Sequence, residues 1–371
     1  MDIPLPSDLM DISQMFKASG KDFYLVGGAV RDALMGKQPK DYDLATNALP
    51  DEVEAILQQN PEYKILELGK SFGIIKVLTP EGNEFEIATY RRDIGKGRRP
   101  DAVEFTSMEV DAQRRDLTQN ALFYDIERKE IVDYVGGIED IQKGLVRTVG
   151  RPQDRFDEDR LRVLRALRFA ARSDSRLDPA TAQAIKDNNS LEGVSPERIR
   201  DEFLKGIKSA KSVVYFLGMI SEFDLWSQIL PGLRVDLDFT ETRDELVQVA
   251  LLLKDNDFKS VQNKLLDAKY TGDEIGRISY LIAFQALDLQ NVVRLKTDLK
   301  RLPDTARPSN DELVRFASLA GAPAPKLAGA FITFEPVTTG AGLMAKGFAG
   351  KDIGNEIKRI ELERFAQLLG M

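Results

Sequence analysis

Residues 25–46 read LVGGAVRDALMGKQPKDYDLAT, and the rest of the chain is interpreted outward from them. An apolar run, Phe23 to Val26, enters the double glycine Gly27-Gly28. A helix-like segment, Ala29 to Leu34, carries Arg31 and Asp32, and Gly36 and Pro39 mark a turn. Asp41-Tyr42-Asp43-Leu44 then reads as a second short strand. Strand side chains alternate, so Asp41 and Asp43 face one side and Tyr42 and Leu44 the other. Two carboxylates this close repel unless a cation neutralises them, and oxygen-only ligands suit Mg²⁺. The glycines let a backbone approach a phosphate, and a helix start favours an anion. Together these features imply a metal-assisted nucleoside triphosphate site. Taken singly, the glycine pair is a plain turn and the D-x-D a solvated strand end.

The chain has 371 residues, 43% of them hydrophobic and 30% charged, an ordinary globular composition with room for two to four domains. No apolar run reaches the length of a membrane span, and the N-terminus lacks the basic and apolar regions of a signal peptide. Cysteine is absent, which removes disulfides and thiolate metal sites and fits a cytoplasmic location. Histidine is absent too, so any catalysis runs on carboxylates, Lys, Arg, Tyr, hydroxyls and metal ions. A net charge of −8 argues mildly against a nucleic-acid partner, although local basic patches decide such contacts.

Downstream, SDLMDISQMFKA at 7–18 reads as an amphipathic helix capped by Ser7, and DEVEAILQ at 51–58 as a helix with an acidic first turn. Strands are expected within 63–90, the last carrying Glu86 between Phe85 and Ile87. Residues 91–101, RRDIGKGRRPD, read as a basic mobile loop. Asp116, Thr118 and Asn120 follow Arg114-Arg115 on an expected helix, with Asp116 and Asn120 on one face. Residues 131–141 read as a strand, a Gly136-Gly137 turn and a helix start, a structural joint. Residues 157–172, DEDRLRVLRALRFAAR, read as one unbroken helix with Asp159, Arg162 and Arg165 on a polar stripe. Ser195 and Pro196 open a further helix, and the remainder is helical, with its clearest break at 301–311.

G-G-x-V-R-D followed by D-x-D resembles the signature of the polymerase β-like nucleotidyltransferases. More narrowly, it resembles the tRNA nucleotidyltransferase (CCA-adding enzyme) and bacterial poly(A) polymerase family. R-R-D-x-T-x-N-A at 114–121, D-x-x-G-G-x-x-D at 133–140, E-D-x-x-R at 158–162 and Glu197-Arg198 resemble that family's further motifs. The resemblance covers roughly residues 23–205. It implies an α+β fold: an N-terminal nucleotidyltransferase head with a small mixed β-sheet, then an all-α neck, body and tail. The expected bounds are 1–150, 151–210, 211–300 and 301–371, with the tail meeting tRNA. Gly347, Gly350 and Gly354, with Lys346, Lys351 and Lys358, could meet a sugar-phosphate backbone there, or form a plain helical hairpin.

The resemblance also implies roles. Asp41 and Asp43 hold Mg²⁺, and Glu86 resembles a third catalytic carboxylate, the alternative being a solvated strand residue. Gly27, Gly28, Arg31 and Arg115 meet the triphosphate, and Asp116 and Asn120 serve the nucleotide and its ribose hydroxyls. Asp159 and Arg162 select the base, with Arg165 and Arg168 as further nucleotide contacts. An Asp acceptor and an Arg donor suit the amine and bare ring nitrogen shared by cytosine and adenine. Uracil and guanine would leave both groups mispaired, at about 1–3 kcal/mol each. The expected activity is template-independent addition of C, C and A to tRNA from CTP and ATP, with no membrane and no obligate protein partner. Alternatives are a bacterial poly(A) polymerase, a partial enzyme adding only CC or only A, and an inactive RNA-binding protein on the same scaffold. Gly69-Lys70-Ser71-Phe72-Gly73 stands closer to the CCA-adding pattern than to the basic stretch of poly(A) polymerases. The basic loop favours full CCA synthesis over CC addition.

Overall fold

The structure is a computed structural model that describes residues 2–39, 41–66, 69–95, 102–238 and 240–370. The chain divides into two compact units, Met1–Val194 and Ser195–Met371.

The first unit is built on a seven-stranded sheet in the order β3-β4-β5-β2-β1-β8-β9. Its strands are β1 (Tyr24–Val26), β2 (Asp43–Thr46), β3 (Lys64–Leu66), β4 (Ile74–Leu78), β5 (Glu84–Thr89), β8 (Phe123–Asp125) and β9 (Glu130–Val132). β2 and β5 run parallel, and the other neighbours are antiparallel, which makes the sheet mixed. Two smaller pairs complete the unit: the antiparallel ribbon β6 (Arg91–Ile94) with β7 (Ala102–Phe105), and the parallel pair β10 (Leu145–Val146) with β11 (Arg176–Leu177). Its helices are α1 (Ser7–Ala18), α2 (Gly28–Leu34), α3 (Pro50–Leu57), α4 (Met108–Gln113), α5 (Gly137–Lys143), α6 (Pro152–Glu158), α7 (Leu161–Ser173) and α8 (Pro179–Asp187).

Strand alternation gives the sheet two unlike faces. Leu25, Leu44, Phe85, Ile87 and Tyr124 point into the larger core with Leu9, Ile12 and Phe16 of α1 and Val53 and Leu57 of α3. Val26, Ala45 and Phe123 point the other way, into a smaller cluster with Tyr90, Ala112 and Ala121. Asp43 shares the face of Ala45, and Glu86, between the inward Phe85 and Ile87, lies on that same face. The chemistry-bearing side chains thus lie opposite the main core.

Four local expectations are corrected. α1 spans the predicted residues, but its N-cap is Pro6, and Ser7 is already helical with no side-chain cap bond. The second strand begins at Asp43, because its partner β1 ends at Val26, opposite Asp43, and turns away at Gly27; Asp41 precedes the strand. The helix expected to carry Asp116, Thr118 and Asn120 does not form: α4 ends at Gln113, Leu117 is extended, and Thr118–Asn120 form a 3-10 turn. The basic stretch at 91–101 opens as strand β6, tied to β7, and its residues 96–101 lie outside the described residues.

The second unit is helical: α9 (Pro196–Ser209), α10 (Val213–Glu222), α11 (Trp226–Ile229), α12 (Glu245–Leu253), α13 (Phe258–Asp267), α14 (Gly272–Gln285), α15 (Val292–Arg301), α16 (Asn310–Ala320), α17 (Pro325–Thr333), α18 (Gly340–Met344) and α19 (Lys351–Leu368). α12 packs on α14 and α16, and α9 on α10, α11 and α12. Phe203 of α9 meets Phe216 and Trp226 at ring-centroid distances of 6.2 and 5.9 Å. Capping boxes at Thr271/Glu274 and Ser309/Glu312 start α14 and α16. Ser195 takes the N-cap position of α9 without a side-chain cap bond. Buried Glu361 of α19 accepts the amides of Val337 and Thr338 at 3.0 and 2.6 Å. No helix among the described residues is long and apolar enough to cross a membrane.

Candidate functional site

β1 ends in Gly27, whose φ of 74° suits glycine and whose N–H donates to the Leu122 carbonyl at 3.0 Å. That turn starts α2 and aims Arg31 back across the sheet end. Asp43 opens β2 beside it, paired in parallel register with Glu86 on β5. The Asp43 carboxylate reaches solvent, yet the protein crowded round it raises its pKa, with Glu86 and Asp41 adding to the rise and Arg115 and Lys76 opposing it. Asp41 and Asp43 border one cavity of about 320 Å³ together with Arg31, Asp32 and Arg172. Glu86 borders neither this cavity nor the one described next; its carboxylate lies 3.7 Å from Lys76 Nζ.

The 114–121 stretch supplies the second wall. Buried Asp111, on α4, accepts Nε and Nη2 of Arg115 at 3.1 and 2.9 Å and Nε of Arg114 at 2.9 Å. Burial raises the Asp111 pKa, but the two guanidiniums outweigh it and hold the carboxylate below its ordinary value. Asn120 accepts from Nη1 of Arg31 and donates to Asp116 at 3.2 Å. Asp116 and Asn120 thus meet across a turn, in place of the expected helical face. Burial would raise Asp116 as well; Arg165, the Asn120 amide and Arg162 reverse that and hold it down to about 2.

The third wall comes from 157–172, where the expected unbroken helix is two. α6 ends at Glu158, Asp159 is extended (φ −152°, ψ 105°), and α7 restarts at Leu161. Asp159 makes its own break, since its Oδ1 accepts the Leu161 amide at 3.2 Å. Arg162 donates to Glu158 at 2.6 Å and to the carbonyls of Arg155 and Arg114, each at 3.3 Å. Arg165 donates to Asp116. Phe169 is the hub of this wall, with the guanidiniums of Arg168, Arg31 and Arg165 at 4.3, 4.8 and 5.5 Å from its ring centroid.

These walls enclose a polar cavity of about 460 Å³. Gly27, Gly28, Arg31 and Asp43 border it from the sheet end, Arg115, Asp116 and Asn120 from the second wall, and Asp159, Arg162 and Arg165 from the third. Three predicted residues stay outside it: Asp41, Glu86 and Arg168, the last buried beneath Phe169. Sequence reasoning missed Asp111, Asp32, Phe169 and Arg172. Asp111 had a signal, its i,i+4 spacing to Arg115. Asp32 had one too, as the last residue of the G-G-x-V-R-D motif; its 2.7 Å pairing with Arg172, over a separation of 140 residues, had none.

The donor set at Asp41 and Asp43 suits a hard divalent cation: two oxygen ligands, one crowded by like charge and raised in pKa, both facing one cavity. Among the described residues no three His, Cys, Asp or Glu side chains cluster closely enough to form a cage. A pair of carboxylates completed by substrate oxygens is the usual manner of Mg²⁺.

The Poly A polymerase head domain family matches residues 23–147, and the probable RNA and SrmB-binding site of polymerase A matches 176–237. The CCA-adding enzyme of Lactobacillus helveticus is 34% identical over 284 residues, which cover 72% of this chain and 69% of that protein. The chain belongs to the CCA-adding enzyme and bacterial poly(A) polymerase family. Poly(A) polymerase I of Salmonella typhi is 36% identical over 250 residues, 64% of this chain. The chain spans about half the length of this and most other curated relatives it matches, 53% in the Salmonella case. The crystal structure of the Bacillus stearothermophilus CCA-adding enzyme in complex with CTP superposes with a TM-score of 0.74 at 26% identity, over 98% of this chain and 96% of that one. The fold is the expected α+β arrangement of a mixed-sheet head followed by helices.

Proposed function

We propose that this protein adds C, C and A to the 3′ end of tRNA from CTP and ATP, without a template and in the cytoplasm. One observation carries the reading: three separate stretches, the Gly27-Gly28 turn, residues 114–121 and the Asp159 break, face a single 460 Å³ cavity beside Asp43. The likeness to CCA-adding enzymes over nearly the whole chain supports it.

In the reaction the terminal 3′ oxygen bonds to the α-phosphorus, the bond to the β-phosphate breaks, and pyrophosphate leaves. Asp41 and Asp43 would hold Mg²⁺, which would lower the pKa of the 3′ hydroxyl so that its proton passes to solvent, and would steady charge on the leaving group. Arg31 and Arg115 meet phosphate oxygens with charge-assisted bonds, each already oriented by a carboxylate. Asp116 and Asn120 face the ribose hydroxyls. Asp159 accepts from the exocyclic amine of cytosine or adenine, and Arg162 donates to the ring nitrogen; uracil and guanine offer the reverse pattern. Residues 1–150 serve as head and 151–210 as neck, with 211–300 and 301–371 as body and tail holding the tRNA.

The test uses the full-length protein, Mg²⁺ and a tRNA ending at its discriminator base, with CTP and ATP supplied separately and together. CTP alone is expected to add two residues, and both nucleotides C-C-A and no more. A long A ladder would make the protein a poly(A) polymerase. Binding of RNA without extension would make it an inactive scaffold.

A further inference from the structure

Arg172, in the last turn of α7, borders both the 460 Å³ cavity and the 320 Å³ cavity that holds Asp41 and Asp43. Its surroundings differ from those of the other arginines on the helix. Arg162 is held by a carboxylate and two carbonyls, and Arg165 places both Nε and Nη2 on Asp116. Arg172 makes one polar contact among the described residues, from Nη2 to Asp32 Oδ2 at 2.7 Å, and its side chain is 31% exposed. Four of its five donors therefore remain for whatever enters.

Asp32 is itself shared. Its Oδ1 accepts Nε and Nη2 of Arg31 at 3.0 and 2.7 Å, so two guanidiniums converge on one carboxylate. The smaller cavity is bordered by three cations, Arg31, Lys37 and Arg172, and three anions, Asp32, Asp41 and Asp43. Once Asp41 and Asp43 are committed to a divalent ion, the three cations are balanced by one carboxylate, Asp32, which two of them already share. Such a cavity favours a compact, multiply charged anion.

We propose that Arg172 is a binding residue for the β- and γ-phosphates of the incoming nucleotide and for the departing pyrophosphate, and that Asp32 holds it in waiting when neither is bound. This rests on the nucleotidyl-transfer reading of the site. An RNA phosphate would offer the same chemistry, and the test separates the two.

The experiment measures inorganic pyrophosphate binding to the full-length protein in Mg²⁺ by calorimetry, alongside steady-state extension of tRNA. Arg172→Gln is expected to weaken pyrophosphate binding and raise KM for CTP and ATP alike, by roughly tenfold, the loss of one charge-assisted contact. The kcat, the KM for tRNA and the preference for C and A stay near their starting values, and Arg172→Lys recovers part of the loss. Should Arg172→Gln fail to fold, Asp32→Asn frees the guanidinium of its counter-ion and is expected to tighten pyrophosphate binding. Unchanged pyrophosphate affinity in Arg172→Gln, a rise confined to the KM for tRNA, or weaker binding in Asp32→Asn overturns the proposal. Extension of RNA by an unaltered protein that binds no pyrophosphate overturns it alone. Absence of both activities overturns the nucleotidyl-transfer reading with it.

Discussion

Arg165 donates Nε and Nη2 to the same oxygen of Asp116, each at 2.7 Å, and so joins α7 to the turn that carries Asn120. Because Asn120 also holds Arg31, this pair links all three walls of the cavity. The pairing leaves a pH signature. Asp116 sits at about 2 against an ordinary 3.8, so its folded-state pKa is depressed. Its contribution is fully present above the unfolded value and is lost as pH falls from about 4 through about 2, on the order of 2 kcal/mol. Asp116→Asn is expected to lower stability at neutral pH and to flatten the acid unfolding profile in that window. Chemical denaturation at a series of pH values measures both.

Asp159 has two tasks that substitution can separate. Asp159→Ala is expected to keep polymerising activity while losing the preference for C and A over U and G. It also removes the acceptor for the Leu161 amide, costing about 0.5–1.5 kcal/mol. Asp159→Asn keeps an acceptor for that amide and should recover the stability but not the selectivity. Competition among the four nucleotides, with melting of each variant, distinguishes the effects; unchanged selectivity in Asp159→Ala would sink the assignment.

Asp43 trades stability for chemistry. Its pKa is raised by surrounding protein, Glu86 and Asp41. A carboxyl whose folded pKa exceeds its unfolded value binds its proton more tightly when folded, so its ionisation costs stability as pH rises through that interval. Asp43→Asn removes the cost and should be at least as stable as the parent near neutral pH, yet lose extension by a factor of about 10³ or more. A variant that melts earlier and keeps activity would contradict both halves.

Gly137 shows why a joint motif matters to the site. A Cβ there would lie 2.3 Å from the Thr118 carbonyl oxygen, and Thr118 begins the turn that ends in Asn120. Thr118 is also bonded to Asp140, one turn along α5, at 2.5 Å. Gly137→Ala is expected to cost about 1–3 kcal/mol and to weaken CTP binding, because the turn must move. Thermal melting with and without CTP reports the two together.

Much of the frame was legible because it rests on short-range rules. The glycine turn, the apolar Phe85 and Ile87 on either side of Glu86, and most helix spans follow from spacing; that Asp43 and Glu86 share a face comes from the register of two strands far apart in sequence. The misses share a cause: the deciding interaction was either made by a side chain or came from afar. Residues 157–172 contain neither Gly nor Pro, and the helix breaks at Asp159, which turns extended and takes the Leu161 amide on its own side chain. The 114–120 stretch looks helical, but Asp116 is claimed by Arg165, 49 residues on. Phe169 belongs to the apolar pattern of its helix and gave no hint that three guanidiniums would gather round it.

The most direct test supplies all four nucleoside triphosphates at equal concentration with Mg²⁺, full-length protein and a tRNA ending at its discriminator base, and reads products by mass. The expected product is longer by C-C-A alone, and Asp43→Asn under the same conditions yields none. Incorporation of U or G at the rate of C would contradict base selection by Asp159 and Arg162, and an A ladder would contradict C-C-A addition itself.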